Sequence, residues 1–242
     1  MFRVLLVACA LLTAGCVAKI QPALTAEDRA AYRIENVDLT VPKTSFVRWS
    51  RGETAMLKAA GLTDAPQSEK DAFIGKLESQ IELRERAQEL LLQGLNTRLI
   101  GVLPGSKPMQ ATVMIETMAT SSAGRSFLVG GQQIAIGVIQ FHDLETGEAL
   151  SRPQRLFGND SGGGGIIGAI VEAASRDPML RLGERFGENA VKWVTATEPV
   201  DFAGTTGDFL NRPADDLPGP TANTAEEGNT PTTTEDDTAP SS

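Results

Sequence analysis

Reactive side chains are scarce in this chain of 242 residues. It has two cysteines and one histidine, and both cysteines fall within the first sixteen residues. Residues 17–242 therefore hold no thiol for a disulfide, a thiolate metal site or a cysteine nucleophile. A zinc site is also not expected, because His142 has no second histidine or cysteine to join it. We predict no cofactor and no metal.

Excess positive charge is lacking as well. The formal net charge is −9, and residues 213–242 hold seven acidic residues with no lysine or arginine. Residues 17–212 are nearly balanced, with 21 basic and 24 acidic side chains. Because a nucleic-acid surface needs clustered basic charge, nucleic acid is not a predicted partner. Residues 201–242, rich in Thr, Pro, Asp and Glu, are predicted to form a disordered tail.

The N-terminus has the pattern of an export signal. Arg3 precedes an apolar stretch at residues 4–12, which is too short to span a bilayer as a helix. The sequence Thr-Ala-Gly before Cys16 resembles the lipobox of bacterial lipoproteins. This resemblance implies that residues 1–15 are a signal peptide, and that Cys16 becomes the first residue and carries acyl chains such as palmitate. The mature protein would then be anchored to a membrane, not embedded in it.

Two further residues bear on this processing. Cys9 is a second, poorer match to the cleavage pattern. Val17 follows Cys16 where some bacteria use an aspartate to retain lipoproteins in the inner membrane. The sequence therefore predicts a location at the outer membrane, facing the periplasm.

The remaining chain is predicted to hold one domain. Residues 16–33 are assigned as a tether, residues 34–200 as a single α+β domain, and residues 201–242 as the tail. A domain of this size buries roughly 70% of the surface that its unfolded chain exposes, so it can form a core without disulfides or metals.

Hydrophobic periodicity predicts the main elements of this domain. Alternating patterns predict strands at residues 34–41, 111–119, 133–141 and 148–157. A short helix is predicted at 53–60, a long one from a capping box at Ser68 and Asp71 to Leu99, and another short one at 166–174. The last helix has Asp177 as its N-cap and an apolar face of Met179, Leu182, Phe186, Ala190 and Trp193.

This element order, with a turn at residues 143–148, resembles a group of small bacterial envelope lipoproteins. Their domain is similar to those of curli-secretion and penicillin-binding-protein-activator lipoproteins. The resemblance implies an α+β fold, in which two main helices pack on one face of a mixed, mostly antiparallel sheet of about four strands. It also implies a role by contact instead of catalysis. A secretion pore is not expected, because long amphipathic strands are lacking.

Ser161 is the strongest catalytic candidate in the sequence. Asp-Ser-Gly-Gly at residues 160–163 resembles the segment around the nucleophile of chymotrypsin-like proteases. Such an enzyme needs a histidine base and an aspartate to orient it. His142 is the only histidine, and its neighbour Asp143 would point to the opposite side of an extended strand. A flexible glycine-rich turn is therefore the favoured interpretation, and we predict no catalytic residue.

Other candidate sites have simpler interpretations. The glycines at 162–165 precede a helix, but no phosphate-binding fingerprint is complete. Glu85 and Glu89 are expected on a solvated helix face. Trp193 is expected in the core, whereas Trp49, in an irregular segment, is the predicted surface contact for a partner.

Three functional hypotheses remain at this stage. The leading one is a non-enzymatic lipoprotein that binds or assists another component of the cell envelope. The second is a module that binds a small ligand or lipid on its sheet face. The third is a hydrolase using Ser161 and His142. The sequence predicts neither the oligomeric state nor the identity of the partner.

Overall fold

The computed structural model describes residues 19–120, 133–160 and 176–202. Several predictions concern residues outside these ranges: the signal peptide at 1–15, lipidation of Cys16, the role of Ser161, the helix at 166–174 and all but two residues of the tail at 201–242.

Five helices and five strands are formed by the described residues. In chain order they are α1 (Ala26–Ala31), β1 (Tyr32–Thr40), β2 (Phe46–Trp49), α2 (Ser50–Ala59), α3 (Gln67–Ile74), α4 (Leu77–Leu99), β3 (Lys107–Thr120), β4 (Gln133–Asp143), β5 (Gln154–Asp160) and α5 (Pro178–Thr195).

The strands form one mixed sheet. Its order is β1-β3-β4-β5, and β2 pairs with β3 beyond the end of β1. β1 and β2 run parallel to β3, whereas the β3–β4 and β4–β5 pairings are antiparallel and together join more residues than the parallel ones. The predicted α+β class with a mixed, mostly antiparallel sheet is confirmed. β2 is a fifth strand that was not predicted.

The core lies between the sheet and the two main helices. Alternate residues of β3 (Met109, Ala111, Val113 and Ile115) are fully buried on this side. On α5, Phe186 and Trp193 belong to the same buried cluster, so the predicted core position of Trp193 is confirmed. The long helices α4 and α5 both pack on this face of the sheet, as predicted.

Helices α4 and α5 approach each other through glycines. A Cβ atom placed on Gly183 would lie 2.3 Å from the carbonyl oxygen of Leu91 and 3.1 Å from the Cα atom of Gly94. A Cβ atom on Gly94 would lie 2.3 Å from the carbonyl oxygen of Leu180. Both contacts are with backbone, so the helix axes can come this close only where side chains are absent.

The long helix predicted from Ser68 to Leu99 is in fact two helices. α3 ends at Ile74, and Lys76 adopts an extended conformation before α4 begins. The break is stabilised by Gln80, whose side-chain amide donates to the carbonyl oxygen of Ile74 at 2.7 Å. The predicted capping box is also wrong, because the N-cap of α3 is Pro66 and Ser68 lies inside the helix.

Two boundaries differ from the prediction. Residues 20–33 are not a tether: Ile20 pairs with Val200, and Ala23 and Leu24 are buried. The backbone N–H groups of Ile20 and Ala23 donate to the carbonyl oxygens of Val200 and Trp193, so the chain is held from Ile20 onward. The last strand starts at Gln154 and not at residue 148, because Pro153 has no N–H group to donate to the ladder.

The two ends of the sheet carry different elements. The Tyr32 end carries the start of β1, the turn after β4 and the C-terminus of α5; there Tyr32 hydrogen-bonds to Asp143, and the Trp193 ring lies 5.7 Å from the Phe141 ring. The Trp49 end carries β2, α2, α3 and the first turns of α4. Because α4 has 23 residues, it spans about 34 Å between the two ends.

Candidate functional site

A cleft of about 260 Å³ lies between β5 and α5. β5 contributes Phe157, Asn159 and Asp160, and α5 contributes Arg185, Glu188, Asn189 and Lys192. Arg181 donates to Asp160 at 2.6 Å, and the Asn189 amide donates to the carbonyl oxygen of Phe157 at 2.7 Å. These bonds hold the edge strand against the helix.

The chemistry of the cleft is that of a polar binding site. Hydrogen bonding and the negative charge of Glu188 raise the pKa of Arg185, which keeps its guanidinium charged. The side-chain oxygen of Asn159 is buried and has no hydrogen-bond partner. The described lining holds no serine, cysteine or histidine. The lining carries charged side chains of both signs, Asp160, Arg185, Glu188 and Lys192, which suits a polar ligand.

Trp49 does not lie at the surface, so this expectation is wrong. Only 7% of the residue is exposed. Its indole N–H donates to the carboxylate of Asp177 at 3.2 Å, and its ring occupies the space beside Gly52. The segment seemed irregular because β2 has only four residues, but it places this ring against the N-cap of α5.

The structure places His142 far from Asp160, the residue that precedes Ser161 in the sequence. Ser161 follows Asp160, which pairs with Gln133 at the Trp49 end of the sheet. His142 lies nine residues farther along β4, at the Tyr32 end, so about 30 Å of strand separates it from Asp160. Ser161 itself lies outside the described residues, so its role stays a prediction.

Metal ligands do not cluster within the described ranges. No group of three or more histidine, cysteine, aspartate or glutamate side chains there could hold an ion. Glu85 and Glu89 both lie exposed on α4, as the sequence indicates for a solvated face. Among the helices that the structure describes, none is long and apolar enough to cross a bilayer.

An exposed apolar surface lies on α4 at the Trp49 end. Leu77 is 76% exposed and Ile81 is 40% exposed. Apolar residues at helical spacing usually mark a buried face, but neither of these two is buried. Near its start, α5 packs against Gly94, which lies 13 residues past Ile81 on α4. Glu78 and Glu85 are exposed beside the two apolar side chains.

A polar pair closes the Tyr32 end of the sheet. The Tyr32 hydroxyl donates to the Asp143 carboxylate at 2.8 Å. This hydrogen bond, together with burial, raises the pKa of Tyr32 to about 12. Hydrogen bonds from the backbone N–H of Thr146 and from Tyr32 lower the pKa of Asp143. Asp143 also orders the predicted turn, in which Gly147 has a φ of 74°.

Comparisons with known proteins yield few matches. No protein-family model and no curated protein matches the chain. The chain is similar to a solved structure described as a candidate lipoprotein of Caulobacter crescentus CB15, with 14% identity, a TM-score of 0.24, and 44% of this chain and 78% of that chain covered. It is also similar to lipoprotein GNA1162 of Neisseria meningitidis, with 13% identity, a TM-score of 0.20, and 60% and 94% covered. Both neighbours are bacterial and described as lipoproteins, but TM-scores this low carry no argument about function.

Proposed function

We propose that this chain is a non-enzymatic, lipid-anchored lipoprotein that acts by binding another protein of the cell envelope. One observation carries the proposal: the chain leading from Cys16 joins the domain near the Tyr32 end, whereas Leu77 and Ile81 lie exposed at the Trp49 end. Acylation of Cys16 would hold the first end near the membrane and present the second to partners.

The Leu77 surface, made of Leu77, Glu78, Ile81 and Glu85, has the character of a contact site. Its apolar side chains are fixed on a helix, so binding costs little ordering of backbone. Neither Glu78 nor Glu85 forms an ion pair with another described residue. Negative charge around an apolar centre favours a partner whose contact face carries apolar and basic side chains.

In-cell crosslinking tests this contact. A photoreactive benzophenone side chain would replace Leu77 in one strain and Met114 in a control strain, since Met114 is 43% exposed on the opposite face of the sheet. We expect one dominant adduct from position 77 that is absent from position 114. The double change Glu78→Lys and Glu85→Lys should abolish it, whereas Glu27→Lys on α1 should not. An adduct that forms equally from position 114, or survives the double change, contradicts the proposal.

The anchor is tested separately. Intact-mass analysis of protein extracted from membranes should show a chain that starts at Cys16 and carries acyl groups. Membrane fractionation should recover it with the outer membrane. A chain that retains residues 1–15, or one that starts after Cys16, would refute the anchor but leave the crosslinking result open.

Absence of enzymatic activity is part of the proposal. It is supported by the separation between His142 and the residue preceding Ser161. A fluorophosphonate probe should therefore fail to label the purified protein, and labelling that is lost in Ser161→Ala would contradict this. The cleft beside β5 supports a second candidate, a small-ligand site, because Asp160, Arg185, Glu188 and Lys192 bring charges of both signs to one lining.

A further inference from the structure

We propose that the Tyr32 end rests on the membrane that holds the lipid anchor, with Ile100 and Leu144 entering the lipid headgroup region. The inference rests on the proposed acylation of Cys16. It adds an orientation of the domain and a second contact with the bilayer. Its first support is the length of chain available between the anchor and the fold.

That length is short. Only Val17, Ala18 and Lys19 separate Cys16 from Ile20, whose N–H donates to the carbonyl oxygen of Val200 at 2.9 Å. Four fully extended residue steps cover at most about 14 Å. The domain is therefore confined to a thin layer above the bilayer and cannot move away on a long linker.

The contacts of Gln21 show which end of the domain lies next to residues 17–19. The indole N–H of Trp193 donates to the carbonyl oxygen of Gln21 at 2.8 Å, and the Trp193 ring packs on Phe141. Phe141 lies two residues before Asp143, where β4 ends beside Tyr32. Residues 17–19 therefore join the domain near the Tyr32 end. The Trp49 end lies one length of α4 away, roughly 34 Å.

Two large apolar side chains project from this same end. Ile100 is 46% exposed at the C-terminus of α4, and Leu144 is 41% exposed in the turn after β4. They belong to different segments, yet each segment is tied to the sheet. Apolar side chains that enter the headgroup boundary add to the membrane affinity that an acyl anchor provides.

Both segments are held by backbone hydrogen bonds. The N–H of Gly101 donates to the carbonyl oxygen of Ile34 at 2.8 Å, and the N–H of Leu144 donates to the carbonyl oxygen of Pro108 at 3.1 Å. Leu103 has a φ of 74°, a conformation that a leucine adopts only when the surrounding structure holds it there. Because the loops are already ordered, insertion of Ile100 and Leu144 would cost little conformational entropy.

The charges at this end do not favour an anionic lipid surface. Lys107 is exposed beside Tyr32, but Glu145 and Glu148 are exposed in the same turn as Leu144. Because these charges do not add up to a basic patch, the contact depends on apolar insertion and on the anchor. It should therefore not strengthen when anionic lipid is added.

Spin labelling of the acylated protein tests the orientation. Single cysteines would replace Leu144, Ile100 or Ile81, and the labelled proteins would be placed in vesicles of phosphatidylethanolamine and phosphatidylglycerol. Ile81 is a matched control, since its exposure of 40% is close to that of Leu144 but it lies at the Trp49 end. We expect labels at 100 and 144 to collide several-fold more with oxygen than with a water-soluble nickel complex, and the label at 81 to show the reverse.

The outcomes separate the two proposals. Equal, water-like accessibility at all three positions in a protein that is acylated and floats with vesicles overturns the orientation and leaves the anchor intact. A lipid-like signal at 81 but not at 144 overturns the orientation, because it places the Trp49 end at the membrane. A protein that lacks acyl groups by mass and does not float refutes the anchor itself.

Discussion

Replacing Gly183 by alanine should loosen the packing of α4 against α5. The added methyl group would lie 2.3 Å from the carbonyl oxygen of Leu91, and the three nearest atoms all belong to the backbone of α4. Side-chain rotation cannot relieve these contacts, so the two helices must separate along their crossing. Leu91 and Phe186, which are fully buried, would then lose contacts with their neighbours.

The expected magnitude combines two opposing effects. Overpacking of a core typically costs about 1–3 kcal/mol, and backbone contacts place this site at the upper end. Alanine is favoured over glycine inside a helix by about 1 kcal/mol, which offsets part of the cost. We therefore expect the free energy of unfolding to fall by about 2 kcal/mol.

Urea unfolding followed by circular dichroism and by tryptophan fluorescence would measure this change. Both proteins would carry Cys16→Ser, so that no detergent is needed. Gly75→Ala is the control: Gly75 is exposed, has a φ of −70°, and a Cβ atom there would meet no backbone closer than 3.1 Å. It should be neutral or slightly stabilising. A Gly183→Ala protein as stable as its parent would refute the argument that the glycine approach determines the helix packing.

Three further predictions follow from the polar contacts. The single tyrosine, Tyr32, should ionise near pH 12 in an absorbance titration, and Asp143→Asn should return this midpoint toward 10. Because the pKa of Tyr32 is raised in the fold, its contribution to stability is present below pH 10 and is lost as the pH rises toward 12. The pKa of Asp143 is lowered in the fold, so its contribution to stability is lost as the pH falls through the pKa of the folded state. The stability of the wild type should therefore decline more steeply in acid than that of Asp143→Asn. Asp177→Ala removes the N-cap of α5 and the acceptor of the Trp49 indole N–H. The free energy of unfolding in urea should fall by about 1–2 kcal/mol, and the tryptophan emission should change. Unchanged stability and emission would show that neither hydrogen bond contributes.

Alternation in β3 and β4 could be predicted from sequence because one face of each strand packs on the helices. Met109 and Val113 repeat with the period of a strand, and both are fully buried. β2 escaped prediction because four residues are too few to show alternation. The parallel pairing of β1 with β3 depends on contacts between distant residues, which local patterns do not encode.

The surfaces were harder to predict than the core. Leu77 and Ile81 follow helical periodicity, but α5 begins too far along α4 to cover them, and only the packed structure gives that offset. The sequence around Trp49 has no clear periodicity and so predicts a surface position, although the indole is buried and donates to Asp177. The cleft beside β5 combines residues from two distant segments, so no motif marks it in the sequence.

The parallel pairing of β1 with β3 has a consequence for the order of folding. Tyr32 pairs with Lys107, so β1 is synthesised about 75 residues before its partner strand. Until β3 emerges, β1 has no neighbour in the sheet, and closing the long intervening loop slows its docking. We expect the β3–β4 pair, which joins strands that follow each other directly in the chain, to form first and to serve as the template onto which β1 docks. An incomplete chain that stops before β3 would then expose an unpaired strand and be prone to aggregation.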